Sequence, residues 1–415
     1  MSENIDERSP GEHAAAELKR HGPGAAALTF VRDVRVRLGQ GELGPIPVVF
    51  GLAAIWTYFD VQDSHFLTAR NLTNLTLQIS VSGTIAIGVV LVLLLGEIDL
   101  SVGSIAGATA AVLGVLLVNH SWPWWEAILA MLVVGAAIGA LQGAWFAIVG
   151  VPSFVVTLAG LLAWLGVQLH VLGDAGTLNV FDAHITDIAT TFLPKWLGWI
   201  MAIVAAAGYA TTRLAEVVRR RRNGLPARPP AVVVMETLVI GAIFLGVVLV
   251  LNRSSGVPTA GLVLLGLVIV FDWLTRRTKF GRSVYAVGGN AEAARRAGIR
   301  VTRIRIIVFT LSGTMAAMGG LLATARLQAA STQTGGGTLL LEAIAAAVIG
   351  GTSLFGGRGN VWSALLGALV IGSVSNGLDL IGQPADVKYM VEGAILLLAV
   401  TIDALSRRRL ATAGR

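Results

Sequence analysis

The stretch Thr275–Arg305, T-R-R-T-K-F-G-R-S-V-Y-A-V-G-G-N-A-E-A-A-R-R-A-G-I-R-V-T-R-I-R, carries nine of the chain's 31 lysines and arginines and separates two apolar runs, 259–274 and 306–325. A polar, basic interval between runs close to membrane-crossing length, about 17–25 residues, is the pattern of a multi-pass membrane protein. A compact helix signal lies inside it. Asn290 is a good N-cap, since its side chain can accept a bond from a first-turn N–H. Glu292 falls in the first turn and Arg295 and Arg296 in the last, both complementing the helix dipole, and Gly298 supplies the stop. The faces are nearly all alanine: Ala291, Ala293, Ala294 and Ala297. So short a helix is marginal alone, because nucleation is costly, and it needs neighbours or a partner. The plainer alternative is a cytoplasmic loop whose arginines only set topology.

Composition agrees with a membrane setting. Of 415 residues 55% are hydrophobic and 13% charged, where a soluble domain carries about 25% charged residues. Mean hydropathy is +0.75 and the pI is near 10.3. The formal charge of +7 would suggest nucleic acid in a soluble protein. Here the basic residues sit between apolar spans, so the lipid membrane explains them and no nucleic-acid partner is expected. There is no cysteine, which excludes disulfides and Cys-ligated metal. No signal peptide is expected, because the first ~40 residues lack the apolar core one requires.

Twelve apolar runs follow one another, at roughly 46–60, 76–95, 103–118, 127–148, 154–172, 196–212, 233–251, 259–274, 306–325, 339–351, 361–378 and 389–404. Several are short, 339–351 most of all. The expected fold is all-α, a polytopic helical membrane protein of about 10–12 transmembrane helices with broken or re-entrant segments, which survive at membrane depth only inside protein. Residues 1–45 form an N-terminal tail, polar and disordered over 1–25. Within it, 26–38 reads as an interfacial helix or, from its V-R-V-R alternation, a short strand. Residues 46–405 form the membrane domain, with a basic, then Pro-rich linker at 213–232 and the polar loop at 275–305; residues 406–415 form a C-terminal tail. With the N-terminus inside, 26 lysines and arginines fall in inner segments and 5 in outer ones, so both termini are expected in the cytoplasm. The cluster Arg219–Arg222 either fixes topology or meets anionic lipid.

Two glycine-rich interruptions attract chemistry. Gly96–Ser104 (G-E-I-D-L-S-V-G-S) sets Glu97 and Asp99 between apolar runs, where an ionisable group is costly and usually functional. At the membrane surface the same acids would simply be solvated. Gly350–Asn360 (G-G-T-S-L-F-G-G-R-G-N) faintly echoes it, and paired interrupted segments can point to a transport pathway. Glu342 lies in a short small-residue helix, with Arg326 as a possible partner; close helix packing is the alternative for that segment. Gly96, Asp99, Ser101, Glu342, Gly350 and Gly351 are therefore the candidate pathway or gate residues. No P-loop, H-E-x-x-H pair or G-x-S-x-G elbow occurs. No catalytic, metal or cofactor residues are expected in this chain.

Four blocks in order carry a resemblance: G-E-I-D-L-S-V-G-S (96–104), V-P-S-F-V-V-T-L-A-G (151–160), V-G-G-N-A-E-A-A-R-R-A-G-I (287–299) and L-E-A-I-A-A-A-V-I-G-G-T-S-L-F-G-G-R-G (341–359). Through them the chain resembles the permease subunits of bacterial ABC sugar importers of the ribose/xylose/galactose type, over roughly residues 70–405. Extra length near 173–260 looks like the xylose type. The chain departs from the pattern at Glu97, where a second glycine is usual, and at Gln142-Gly143, where Asn-Gly is common. The resemblance implies a non-enzymatic permease of the bacterial cytoplasmic membrane, importing a monosaccharide such as xylose and working as a homodimer. It implies two further partners, an ABC ATP-binding subunit that holds the ATP and an extracytoplasmic sugar-binding protein. It further implies that Gly288, Gly289, Asn290, Glu292, Ala293, Ala294, Arg295 and Gly298 form the helix that docks on the ATPase. An ion- or proton-coupled secondary transporter using Asp99 or Glu342 is the alternative.

Overall fold

The computed structural model describes residues 46–225 and 230–413; the segment 26–38 lies outside the described residues. Each of the twelve apolar runs lies on a helix of its own. In chain order these are α1 (Ile46–Gln62), α2 (Ala69–Leu94), α3 (Val102–Val118), α4 (Trp124–Ala144) and α5 (Ser153–Leu172). A strand β1 (Thr177–Asn179) and a short helix α6 (Ala183–Thr190) lead to α7 (Lys195–Arg222) and α8 (Pro230–Arg253). Then come α9 (Thr259–Arg277), the polar helices α10 (Lys279–Gly289) and α11 (Ala291–Arg296), and α12 (Val301–Leu327). The chain closes with β2 (Ala329–Ser331), α13 (Leu339–Ile349), α14 (Trp362–Leu380) and α15 (Ala385–Ala413). Among the described residues eight helices are long and apolar enough to cross a membrane, while α1, α3 and α13 hold shorter apolar helices. The chain is a polytopic helical membrane protein.

Two compact units divide the chain. The larger comprises Pro45–Leu193 and Arg253–Arg407; the smaller, in its described part, comprises 194–225, 230–252 and the end of α15 at 408–413. In the smaller unit α7 and α8 form a hairpin in which the Asn252 amide donates to Lys195 O at 3.0 Å. The Arg219–Arg222 cluster, within the linker expected at 213–232, forms the last turn of α7, where cations meet the negative end of the helix dipole.

In the larger unit α2 is the centre. Its apolar window is 89% buried against 22% for that of α5. A helix that is apolar all round is enclosed either by lipid or by other helices, and here α12, α14, α13 and α9 enclose it. The closest pairing is α4 with α12, and small residues allow it. Gly135, Gly139 and Gly143 recur every fourth residue on α4 and face Gly313, Phe309 and Ile306 on α12; a Cβ at Gly139 would overlap Phe309 O. Lipid gives no hydrophobic drive for helix pairing, so such backbone approach supplies the contact instead. At one end of this unit β1 and β2 pair antiparallel, Thr177 opposite Ser331 and Asn179 opposite Ala329. The Gln168 amide donates to Ser331 O and Thr334 O, both at 2.8 Å, and fastens α5 to the same turn.

Candidate functional site

After Leu94 the chain leaves α2 through Gly96, whose φ of +79° is open to glycine at little cost. Asp99 follows, 2% exposed. It accepts from Ser101 N at 3.0 Å, Ser101 Oγ at 2.6 Å and, on its other oxygen, Ser312 Oγ of α12 at 3.0 Å. Ser101 Oγ also lies 2.9 Å from the Gln142 side-chain amide of α4. One hydroxyl proton cannot serve two acceptors. The amide orientation that donates to Ser101 satisfies both groups and pairs the otherwise unpartnered Gln142 Nε2. Asp99 is thus neither a solvated surface acid nor aimed into open space. It staples the α2–α3 loop to α4 and α12.

Glu97 has a distinct role. It accepts from Ser153 Oγ, at the start of α5, at 2.8 Å and from Arg305, near the start of α12, at 3.0 Å. The Arg305 guanidinium also covers the Phe146 ring, 4.6 Å from its centroid. Burial pushes the Glu97 carboxyl above its ordinary value, and the bonds from Ser153 and Arg305 only partly oppose this. The same cause raises Asp99 against its hydroxyl and backbone donors. Desolvation outweighs pairing in both cases, so these contacts fix an arrangement more than they add stability. Neither Ser153, Gln142, Ser312 nor Arg305 stands out in the sequence as belonging with residues 96–101. The separations run from 41 to 213 residues, and a lone serine in an apolar run carries no signal of its partner.

The polar hairpin α10–α11 meets this loop from the other side. Thr278 caps α10 and Asn290 caps α11, its side chain accepting from Ala293 N at 2.9 Å. Glu292 pairs on the surface with Arg295 and Arg296 at 3.4 and 3.3 Å, and Gly298 turns the chain with φ +83°. Asn290, Glu292, Ala293, Arg295, Ala297 and Gly298 are exposed. Ala294 is not: at 4% exposure it packs into the chain's own core beside the apolar residues of α2, α9 and α10. The alanine face is therefore split, one side inward and the other free. Gly289 faces open space, whereas a Cβ at Gly288 would overlap Leu94 O. That same carbonyl accepts from Gly357 N at 3.0 Å, and the Tyr285 hydroxyl donates to Gly359 O at 2.9 Å. The two glycine-rich interruptions and the hairpin thus meet backbone to backbone at Gly96, Gly288 and Gly356–Gly357. Of the other candidates, Gly350 packs on Ser363 O of α14, and Gly351 takes φ +104° in an open turn.

Glu342 lies elsewhere. With Gln78 and Ser82 of α2, Arg326 of α12, Gln333, and Ser375 of α14 it lines a cavity of about 240 Å³. Its carboxylate accepts from Thr338 Oγ1 at 2.7 Å. Arg326 and Glu342 face the same space, yet among the described residues no hydrogen bond or ion pair joins them. Asp379 lines the cavity too and is paired with Lys388. From Gln78 to Leu94 is 16 residues, about 24 Å along a helix. The cavity and the glycine junction therefore occupy separate places, one nearer each end of the α2 segment between them.

The descriptive features of a transport component are matched by the comparisons. Residues 71–400 match the family described as branched-chain amino acid transport system / permease component. The chain is 39% identical over 363 residues to the xylose transport system permease protein XylH of Escherichia coli (strain K12), covering 87% of this chain and 92% of the relative. Its counterpart in Haemophilus influenzae is 38% identical over 371 residues, 88% and 96% of the two chains. The ribose import permease protein RbsC of Escherichia coli (strain K12) is 34% identical over 340 residues, 82% and 87%. No solved structure matches. By the extent of these matches, the chain belongs to the family of transport-system permease components.

Proposed function

We propose that this chain is the membrane-spanning permease subunit of an ATP-driven importer of a monosaccharide, xylose before ribose on the order of identity among its relatives. It works as a pair of copies in the cytoplasmic membrane of a bacterium, with a separate ATP-binding subunit on one side and a sugar-binding protein on the other. The observation that carries this reading is the α10–α11 hairpin: a capped, exposed polar surface whose inner side is locked, through Gly288, onto the end of the central helix at Leu94. The exposed residues Glu292, Ala293, Arg295 and Ala297 offer the ATPase its contact. ATP itself binds in the partner, and this chain supplies movement. A shift of α10 pushes Leu94 of α2 and Gly357 of the α13–α14 loop together, since all three touch. The hairpin then faces the cytoplasm, and so do both termini on the distribution of basic residues along the chain.

Reconstitution tests this. The chain, its ATPase and its binding protein in proteoliposomes should take up labelled xylose when ATP is present on the ATPase side. Uptake driven by a proton or sodium gradient without ATP would refute the reading and favour an ion-coupled carrier. Gly288→Ala provides the coupling arm: the added methyl separates α10 from Leu94, so hydrolysis should continue while uptake falls about tenfold or more.

A further inference from the structure

The cavity beside Glu342 carries an inference about the sugar itself, and it rests on the importer reading above. We propose that this cavity is a passage subsite for a neutral monosaccharide, with Arg326 and Glu342 as its opposed donor and acceptor. Size is the first reason. At about 240 Å³ it lies below the ~300–1,000 Å³ typical of drug-sized sites and suits one small ring. The lining chemistry is the second. Each sugar hydroxyl both donates and accepts. Arg326 offers only donors, Glu342 only acceptors, Gln78 and Gln333 offer both, and Ser375, whose proton goes to Glu392, offers an acceptor.

Charge narrows the class. Asp379 is paired with Lys388, and the buried Glu392 carboxyl stands behind the wall, held by the Ser375 hydroxyl; within the lining itself this leaves Arg326 and Glu342 as an opposed pair that face one space without touching. A sugar acid or sugar phosphate would gain from Arg326 but be repelled by Glu342. A neutral polyol can bridge the two and lose nothing. Affinity is low by construction, because none of the lining residues is aromatic and the apolar face of a sugar ring finds nothing to stack on. A passage needs that weakness, since a tightly held sugar would not leave. Location completes the case. α2 and α13 both wall the cavity, and α2 and the loop that follows α13 end at the Leu94–Gly357–Gly288 junction. Movement at the hairpin therefore reaches the cavity wall.

The cysteine-free chain permits a direct test. Ser375→Cys changes one atom on the cavity wall and is studied in the complete complex with ATPase and binding protein, after folding. The thiol is reacted with methyl or benzyl methanethiosulfonate during ATP turnover, and labelling is quantified by mass spectrometry. The benzyl adduct should cut ATP-driven xylose uptake about tenfold, equivalent to ~1.4 kcal/mol, and the methyl adduct far less, with ATP hydrolysis kept in both. The same adducts on Thr190→Cys, at an exposed helix end outside the cavity lining, should leave uptake unchanged. Complete benzyl labelling with normal uptake overturns the subsite while the importer reading stands. A thiol that stays unreactive throughout turnover also overturns it, because a passage must open to water. If the native complex takes up no sugar with ATP, the importer reading falls and the subsite falls with it.

Discussion

At the scale of single residues, Asp99 and Glu97 show how a buried acid can be structural. Asp99 satisfies three donors, two from Ser101 and one from Ser312. Asp99→Asn keeps an oxygen toward Ser101 and turns its NH2 toward Ser312, where a hydroxyl can accept. Asp99→Ala strands all three donors, and each unpaired buried donor costs about 1–3 kcal/mol. Thermal unfolding in detergent should therefore rank native and Asn close together and Ala several degrees lower. Glu97 yields a prediction in pH. Its folded value is raised above 4.5, so its contribution to stability is full below that pH and is lost as pH rises through the raised value. Glu97→Gln stays neutral. Relative to the native chain it should gain in unfolding midpoint as pH rises above 4.5, then level off. A difference that instead grows against Gln with rising pH would mean that the Arg305 pair, not burial, governs this site. The sequence marked Glu97 and Asp99 as costly, correctly, because their apolar flanks are visible in one line of text. It could not show what satisfies them, because Gln142, Ser153, Arg305 and Ser312 come from helices fixed only by packing.

At the scale of elements, the hairpin α10–α11 was the most legible feature. Its caps are local, and Asn290, Glu292, Arg295 and Gly298 all act within one turn of where they stand. Which alanines face outward was not legible, because a helix of six residues is too short for its period to declare a face. Ala294 turns inward and Ala293 outward. Ala294→Trp is thus an unfolding variant: the new ring has no room in the core, and overpacking of this kind costs typically 1–3 kcal/mol or more. Ala293→Trp should fold normally and lose the ATPase in co-purification. Normal ATPase binding by Ala293→Trp would move the docking contact off this helix. The α4–α12 seam was legible in principle, since Gly135, Gly139 and Gly143 recur at a spacing of four. Nothing local names α12 as the partner, however, because alternate glycine stripes exist wherever small residues cluster.

At the scale of the whole molecule, the order of the apolar helices followed from hydropathy, and each of the twelve apolar runs became a helix, though among the described residues only eight helices are long and apolar enough to cross a membrane. That level is legible because lipid forces every backbone group to be satisfied within its own span. The polar cavity is not: Gln78, Ser82, Arg326, Glu342 and Ser375 are drawn from four helices, and the sequence marks only Glu342, with Arg326 as its partner. Topology remains a prediction resting on the distribution of basic residues. Single cysteines at Asn223 and Thr412 should be blocked from an impermeant reagent in intact cells and one at His120 should be labelled; the reverse pattern would invert the molecule and put the hairpin outside.

The pairing of Asn71 with Asn376, 2.8 Å apart and 305 residues distant in the chain, has a consequence for biosynthesis. The ribosome delivers α2 early and α14 late. At about 5–20 residues per second, roughly 15–60 s separate the two asparagines. For that time the most enclosed helix of the finished protein sits in the bilayer without its neighbours, a polar amide among its exposed groups. The nascent chain must be held, by the insertion machinery or by provisional contacts, until its second half arrives.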